Sequence, residues 1–251
     1  MSGHILAIDA GNTRIKWGLH DGKEWFLRDA MATTDIAGGL PFRSQLNASE
    51  MDCIVVSNVA GPSVGKAIED QFGSLGKPIS FVTAQTSQCG VVNGYDSPVQ
   101  LGSDRWAALI GARAASTDAS RAQLVVMCGT TLTVDALNGD GHFLGGIIVP
   151  GLVLMHRAMN RGTVQLSAAS GQYQRFPKST ANAMTSGAVE ACTGAVTRMY
   201  AHLSAETGDM PACICSGGAI YEIAPHLSFP TLINDNLVLD GLLVIANAKT
   251  P

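Results

Sequence analysis

The sequence predicts an α/β protein made of two copies of one domain with a cleft between them. Three observations carry this. The stretch HILAIDAGNTRIKWGL, His4 to Leu19, is a short apolar run that ends on a carboxylate, then a tight Gly-Asn-Thr turn, then strict alternation of apolar and polar residues. The same theme returns as LVVMCGTTLTVDALN, Leu124 to Asn138. Each hairpin is followed by a third strand and then by segments that read as helix and strand in turn. At a constant offset of 118 residues, Gly11 falls on Gly129, Thr13 on Thr131, Leu19 on Leu137 and Trp25 on Phe143. Two copies of one hairpin imply a duplicated domain, and the expected division is 1–113 and 114–251.

Composition narrows the class. Of the 251 residues, 46% are hydrophobic and 14% charged, so most elements are expected to be buried on more than one side. A net charge of −4 leaves no basic footprint for nucleic acid. No basic segment precedes Asp9, which interrupts the first apolar run, so no signal peptide is expected. The longest apolar segment, Leu144 to Met155, is 12 residues long and contains Pro150 and Gly151, too short to span a bilayer. None of the six cysteines forms a C-x-x-C pair, and Cys213 and Cys215 alternate along a strand as core residues. A reduced, cytoplasmic protein without nucleic-acid or membrane partners is the expectation.

Taken in order, Ile5 to Ile8 is a buried strand, and Ile15, Trp17 and Leu19 form one face of the next. Gly11 is expected to allow φ > 0 and close approach of a ligand. Glu24 to Arg28 reads as a third strand, and Met31 to Glu50 as irregular. Cys53 to Ser57 is a buried strand, Pro62 to Phe72 a helix with proline in its first turn, and Ile79 to Val82 a strand. The Pro98–Gly102 region is loop, after which Ser103 or Asp104 caps a helix through Trp106, Leu109 and Ile110. In the second copy a strand starts at His142, and Gly145 to Asn160 reads as a loop leading into an apolar helix. Arg161 to Phe176 is a surface excursion containing Thr163 and Leu166. Ser179 to Leu203 has helical spacing and many small residues, compatible with a dimer interface or with internal packing. Ala212 to Cys215 is a strand, Gly217-Gly218-Ala219 lets backbone lie against a flat ligand, and Asp240 to Asn247 is a closing helix.

The chemistry-bearing residues cluster in these turns. Asp9 at the mouth of the first turn suits a hydrated Mg²⁺, and Lys16 reaches a phosphate as a point charge. The start of the Ser103 helix favours an anion, and Arg105 offers a rigid fork for a carboxylate where helices ordinarily prefer acidic residues. The repeat also exposes a gap. The counterpart of Asp9 is Met127, and the nearest acidic residue in that copy is Asp135.

With these motifs in place, the chain resembles the type III pantothenate kinases of the acetate and sugar kinase/Hsc70/actin superfamily. The resemblance rests on IDAGNTRIKWG at Ile8–Gly18, GYDSPVQLGSDRW at Gly94–Trp106, CGTTLTVD at Cys128–Asp135 and SGGA at Ser216–Ala219. It implies duplicated ribonuclease H-like (actin-like ATPase) domains, and ATP- and Mg²⁺-dependent phosphorylation of pantothenate by a homodimer. By the same resemblance Asp104 is the general base and Asp9 the metal-associated carboxylate. Asp9, Ala10, Gly11, Asn12, Thr13, Arg14, Ile15 and Lys16, with Thr130, hold the nucleotide. Tyr95, Gly102, Ser103, Asp104 and Arg105 contact pantothenate, with Thr180 contributed across the dimer. Family members commonly carry a monovalent-cation Asp where this chain has Met127, which puts a K⁺ or NH₄⁺ site in question. The competing readings are another small-molecule kinase of the superfamily and a catalytically idle accessory protein.

Overall fold

The structure, a computed structural model, describes residues 3–42, 46–118, 120–162 and 171–249. Strands are β1 (His4–Ala10), β2 (Arg14–His20), β3 (Trp25–Ala32), β4 (Met51–Asn58), β5 (Ile79–Phe81), β6 (Ser87–Gln88), β7 (Val91–Asn93), β8 (Gln123–Cys128), β9 (Thr131–Leu137), β10 (His142–Pro150), β11 (Ala212–Ser216) and β12 (Thr231–Ile233). Helices are α1 (Pro62–Phe72), α2 (Ser103–Ala115), α3 (Leu152–Gly162), α4 (Thr180–Thr207), α5 (Ile220–Ile223) and α6 (Leu237–Lys249). They form two compact units, Met1–Ser116 with Asn236–Pro251, and Thr117–Asp235.

In the first unit the strand order is β3-β2-β1-β4-β5, with β1 antiparallel to β2 and parallel to β4. Alternation decides which face is buried by what. Leu6, Ile8 and Ala10 of β1, Ile15, Trp17 and Leu19 of β2, and Ile54 and Val56 of β4 share a core with Val64, Ile68 and Phe72 of α1. α2 and α6 pack against β4, and α6 also packs against β1. These two helices cross at glycines. A Cβ on Gly111 would lie 2.5 Å from the Leu237 carbonyl and 3.0 Å from the Gly241 nitrogen, and one on Gly241 would overlap the Ala107 carbonyl. This contact draws the C-terminal segment into the first unit, whereas a division at residue 113 leaves it with the second half.

The second unit repeats the plan. Its strands run β12-β11-β8-β9-β10, the same serial order as the first sheet read from the other edge. Its core joins Leu124, Val126, Leu132 and Val134 to Val189, Cys192 and Val196 of α4. Asp9 lies beside Ser57 in parallel register, and Met127 lies beside Ser216. Both third strands also slip register at corresponding places, next to Trp25 in one and Phe143 in the other. The duplication is therefore structural, down to the bulge.

The constant offset needs one correction. Gly11 N–H donates to the Arg14 carbonyl (3.0 Å) around a turn of Gly11, Asn12 and Thr13, but Gly129 N–H donates to the Thr131 carbonyl (2.9 Å) around only Gly129 and Thr130. The second turn is one residue shorter, so Thr131 corresponds to Arg14 and Leu137 to His20. The Gly11–Gly129 and Trp25–Phe143 equivalences hold. Residues Gly145 to Pro150 are strand rather than loop: Gly145 absorbs the bulge at φ 125°, and Pro150 sits at the strand's end. Thr163 and Leu166 lie outside the described residues. Among the described residues no helix is long and apolar enough to cross a membrane.

The α2–α6 crossing is the tightest constraint on the first unit. Gly241→Ala is expected to lower stability by about 1–3 kcal/mol, read as a lower urea midpoint with unchanged slope. A wild-type midpoint would show that the two helices have room to part.

Candidate active site

The site in the first unit is built where β1 ends. In an antiparallel pair, directly opposed residues share a face, and Asp9 is opposed to Lys16. Alternation puts both away from the Trp17 core. In parallel register Asp9 neighbours Ser57 of β4, whose hydroxyl bonds the Asp9 carboxylate and also lies 2.9 Å from Ser103 Oγ. Asp9 Oδ1 is out of water and has no hydrogen-bond partner. Burial, seconded by the charge of Asp104, pushes the Asp9 carboxyl up to about 7, against the pull of Lys16 and of Ser57.

α2 supplies the second half of this site. Gly102 occupies the N-cap, so neither Ser103 nor Asp104 caps the helix as the sequence led us to expect; both lie in its first turn. The Asp104 carboxylate accepts from the Arg105 N–H at 2.8 Å. A Cβ on Gly102 would come within 2.6 Å of Asp104 Oδ1, so glycine leaves the space that carboxylate uses. Arg105 is only 5% exposed, and its Nη1 donates to Tyr95 Oη at 2.9 Å, with the guanidinium carbon 5.7 Å from the centre of the tyrosine ring. The loop carrying Tyr95 is tied down in turn: Tyr95 N–H donates to Asn93 Oδ1 (3.0 Å), and Asn93 Nδ2 to the Pro98 carbonyl (3.2 Å).

The predicted residues divide into groups. Asp9, Lys16, Asp104 and the Tyr95–Arg105 pair all belong to the first unit, and charge links Asp9 to both Asp104 and Lys16. Asn12, Thr13 and Arg14 form the exposed rim of the turn, and Thr33 Oγ1 anchors the carbonyl of half-buried Gly11 at 2.7 Å. Gly11 does not adopt a left-handed φ; a glycine fits because a Cβ would press on the Arg14 carbonyl at 3.1 Å. Ala10 and Ile15 are fully buried core residues, so their side chains do not face a ligand. Ser103 is 8% exposed, with its hydroxyl 2.9 Å from Ser57 Oγ. Thr130, exposed on its turn, Thr180, the first residue of α4, and Met127 belong to the second unit. Sequence reading missed Ser57, whose meaning comes only from its register with Asp9.

A cation fits Asp9. An unpaired buried carboxylate oxygen is costly without one. No cluster of three or more His, Cys, Asp or Glu suited to an ion occurs among the described residues. One carboxylate plus substrate phosphates is how Mg²⁺ is commonly held, so this lone carboxylate suits that ion.

The pKa shift has a sign that can be tested. With its folded value raised from 3.8 to about 7, Asp9 holds its proton longer in the folded chain, so its contribution to stability is fully present below 3.8 and is lost as pH rises through 7. Asp9→Asn should therefore raise the melting temperature of the cation-free protein more at pH 8 than at pH 5. An equal effect at both values would contradict the shift.

The family model described as type III pantothenate kinase matches residues 5–202. A type III pantothenate kinase from Nitrosospira multiformis is 43% identical over 247 residues, covering 96% of this chain and 90% of that protein. Among solved structures, a conserved Baf family protein from Campylobacter jejuni aligns with TM-score 0.59 at 17% identity, covering 97% of this chain and 98% of that one. A glucokinase from an Antarctic psychrotroph aligns with TM-score 0.51 at 11% identity, covering 98% and 100%. At such identities the structural likeness speaks for the fold alone, duplicated ribonuclease H-like α/β domains. The sequence match over nearly the whole chain does more: this protein belongs to the type III pantothenate kinase family.

Proposed function

We propose that this protein transfers the γ-phosphoryl group of ATP to the primary hydroxyl of pantothenate, the first step of coenzyme A biosynthesis. The observation that carries the reading is the first turn of α2, where Asp104 stands next to a buried Arg105 held by Tyr95, in a chain of this family. Pantothenate offers a carboxylate and a primary alcohol. Arg105, pre-set by Tyr95, takes the carboxylate, and free N–H groups at the helix start add to the attraction. Asp104 accepts the hydroxyl proton as the oxygen attacks.

On the nucleotide side, Asn12, Thr13 and Arg14 present the turn's rim to the phosphates, and Lys16 supplies a point charge. Asp9 would hold Mg²⁺ through its unpartnered Oδ1, and when bound that ion neutralises charge developing on the phosphoryl oxygens. In the second unit the Gly129–Thr130 turn is exposed, which supports contact with a phosphate there. Exposed Ala183, Gly187, Ala191 and Gly194 form a small-residue stripe on α4, which supports a homodimer with Thr180 at its interface. Free thiols at all six cysteines support a cytoplasmic setting. The idle-accessory reading is disfavoured, because Asp9, Lys16, Asp104 and Arg105 are all retained.

The direct test is release of ADP from ATP on addition of pantothenate, set against a panel of sugars and other small alcohols. Asp104→Asn should then lower kcat by about 10²–10⁴-fold and leave the KM for ATP nearly unchanged. Wild-type turnover in that variant would remove Asp104 from proton transfer.

A monovalent cation fits the second unit poorly. Met127, flanked by Ser216 and Thr133, places a thioether where the repeat calls for a carboxylate, and sulfur is a poor ligand for a hard ion. Activity should depend only shallowly on K⁺ or NH₄⁺ at constant ionic strength, and Met127→Asp should steepen that dependence. Steep, saturable activation of the native enzyme would overturn this.

A further inference from the structure

Ser57 has no role in the mechanism above, yet it touches both halves of the site. It is fully buried at the end of β4, beside Asp9 in parallel register. Its hydroxyl bonds the Asp9 carboxylate and is 2.9 Å from Ser103 Oγ. The direction of these bonds follows from the donor inventory. Once Asp9 is ionised, as it must be to hold a cation, it only accepts, so Ser57 donates its single proton to Asp9, and Ser103 must donate to Ser57. The relay Ser103→Ser57→Asp9 thus runs from the first residue of α2, next to Asp104, to the carboxylate at the end of β1. It occupies one face of Asp9 and leaves Oδ1 without a protein partner.

We propose that Ser57 is a positioning residue for phosphoryl transfer: held by Ser103, it fixes the Asp9 carboxylate so that Oδ1 is directed to the cation and phosphates, and it ties that carboxylate to the turn bearing Asp104. This rests on the functional reading above. A purely structural pair makes a different prediction. Two buried hydroxyls that only satisfy each other can both be replaced by apolar groups at little cost, so removing both would restore whatever one removal lost. A positioning relay is not rescued in that way, because Asp9 still lacks its donor.

The test compares wild type, Ser57→Ala, Ser103→Ala, Ser57→Ala/Ser103→Ala and Ser57→Thr, which keeps the hydroxyl. Loss of an outer partner of a metal ligand commonly lowers metal affinity or activity by about 10–100-fold. Ser57→Ala should lower kcat within that range and weaken Mg²⁺·ADP binding, measured by calorimetry, by roughly 10-fold, with the KM for pantothenate unchanged. The double variant should be as impaired as Ser57→Ala even where its melting temperature recovers, and Ser57→Thr should regain most of the nucleotide binding. Wild-type kcat and wild-type Mg²⁺·ADP affinity in Ser57→Ala, or recovery of both in the double variant, would overturn the inference. Should Ser57→Ala fail to fold, Ser103→Ala carries the test: weakened Mg²⁺·ADP binding supports the relay, and unchanged binding refutes it. A wild-type protein that phosphorylates no pantothenate would instead sink the functional reading, and the calorimetry would still judge the relay.

Discussion

The proposed active site depends on one carboxylate held where a carboxylate is costly. Asp9 is the penultimate residue of β1, between buried Ile8 and Ala10, and its Oδ1 is sealed from water without a partner. Burial and the nearby Asp104 charge both disfavour its ionised form, while Lys16 and Ser57 favour it. The balance leaves the group poised near neutrality, ready to exchange a proton for a cation. The surrounding architecture follows from that placement. β2 brings Lys16 opposite, β4 brings Ser57 alongside, and α2 delivers Ser103 and Asp104.

The duplication explains why this position exists in both units. Both units end their first strand at a Gly turn, with a serine from the fourth strand as parallel neighbour, Ser57 in one and Ser216 in the other. Yet the polar trio of the first unit, Asp9, Lys16 and Ser57, becomes Met127, Thr133 and Ser216 in the second. The opposite charges are gone and the turn is one residue shorter. The two copies share a strand frame and differ in the charged side chains set on it.

Much of this was legible in the sequence because period-two alternation and glycine turns are local signals. The two hairpins, α1 with Pro62 in its first turn, and the repeat itself could be read from spacing alone. Asp104, Arg105 and Tyr95 stood out through resemblance, and the structure supplies the reason they sit together: a glycine N-cap and a tyrosine brace. What stayed hidden is non-local. Ser57 looked like the polar end of an apolar run until register put it beside Asp9. Gly145 to Pro150 carries loop residues yet pairs as strand, because a bulge absorbs the glycine and the strand's end accepts the proline. The β6–β7 hairpin is too short for any periodicity, and α6 reveals its unit only through tertiary contacts, the Gly111–Gly241 crossing and its packing on β1 and β4.

The central claim is that Asp9 titrates near neutrality because it is buried beside Asp104, and that it is built to receive a cation with its nucleotide. Carboxyl ¹³C NMR of aspartate-labelled protein, assigned through Asp9→Asn, tests it most directly. Without ligand, the Asp9 resonance should titrate with an apparent pKa of about 7, and saturating Mg²⁺·ADP should move it well down. An ordinary carboxylate titration in the free protein, unaffected by Mg²⁺·ADP, would contradict the account.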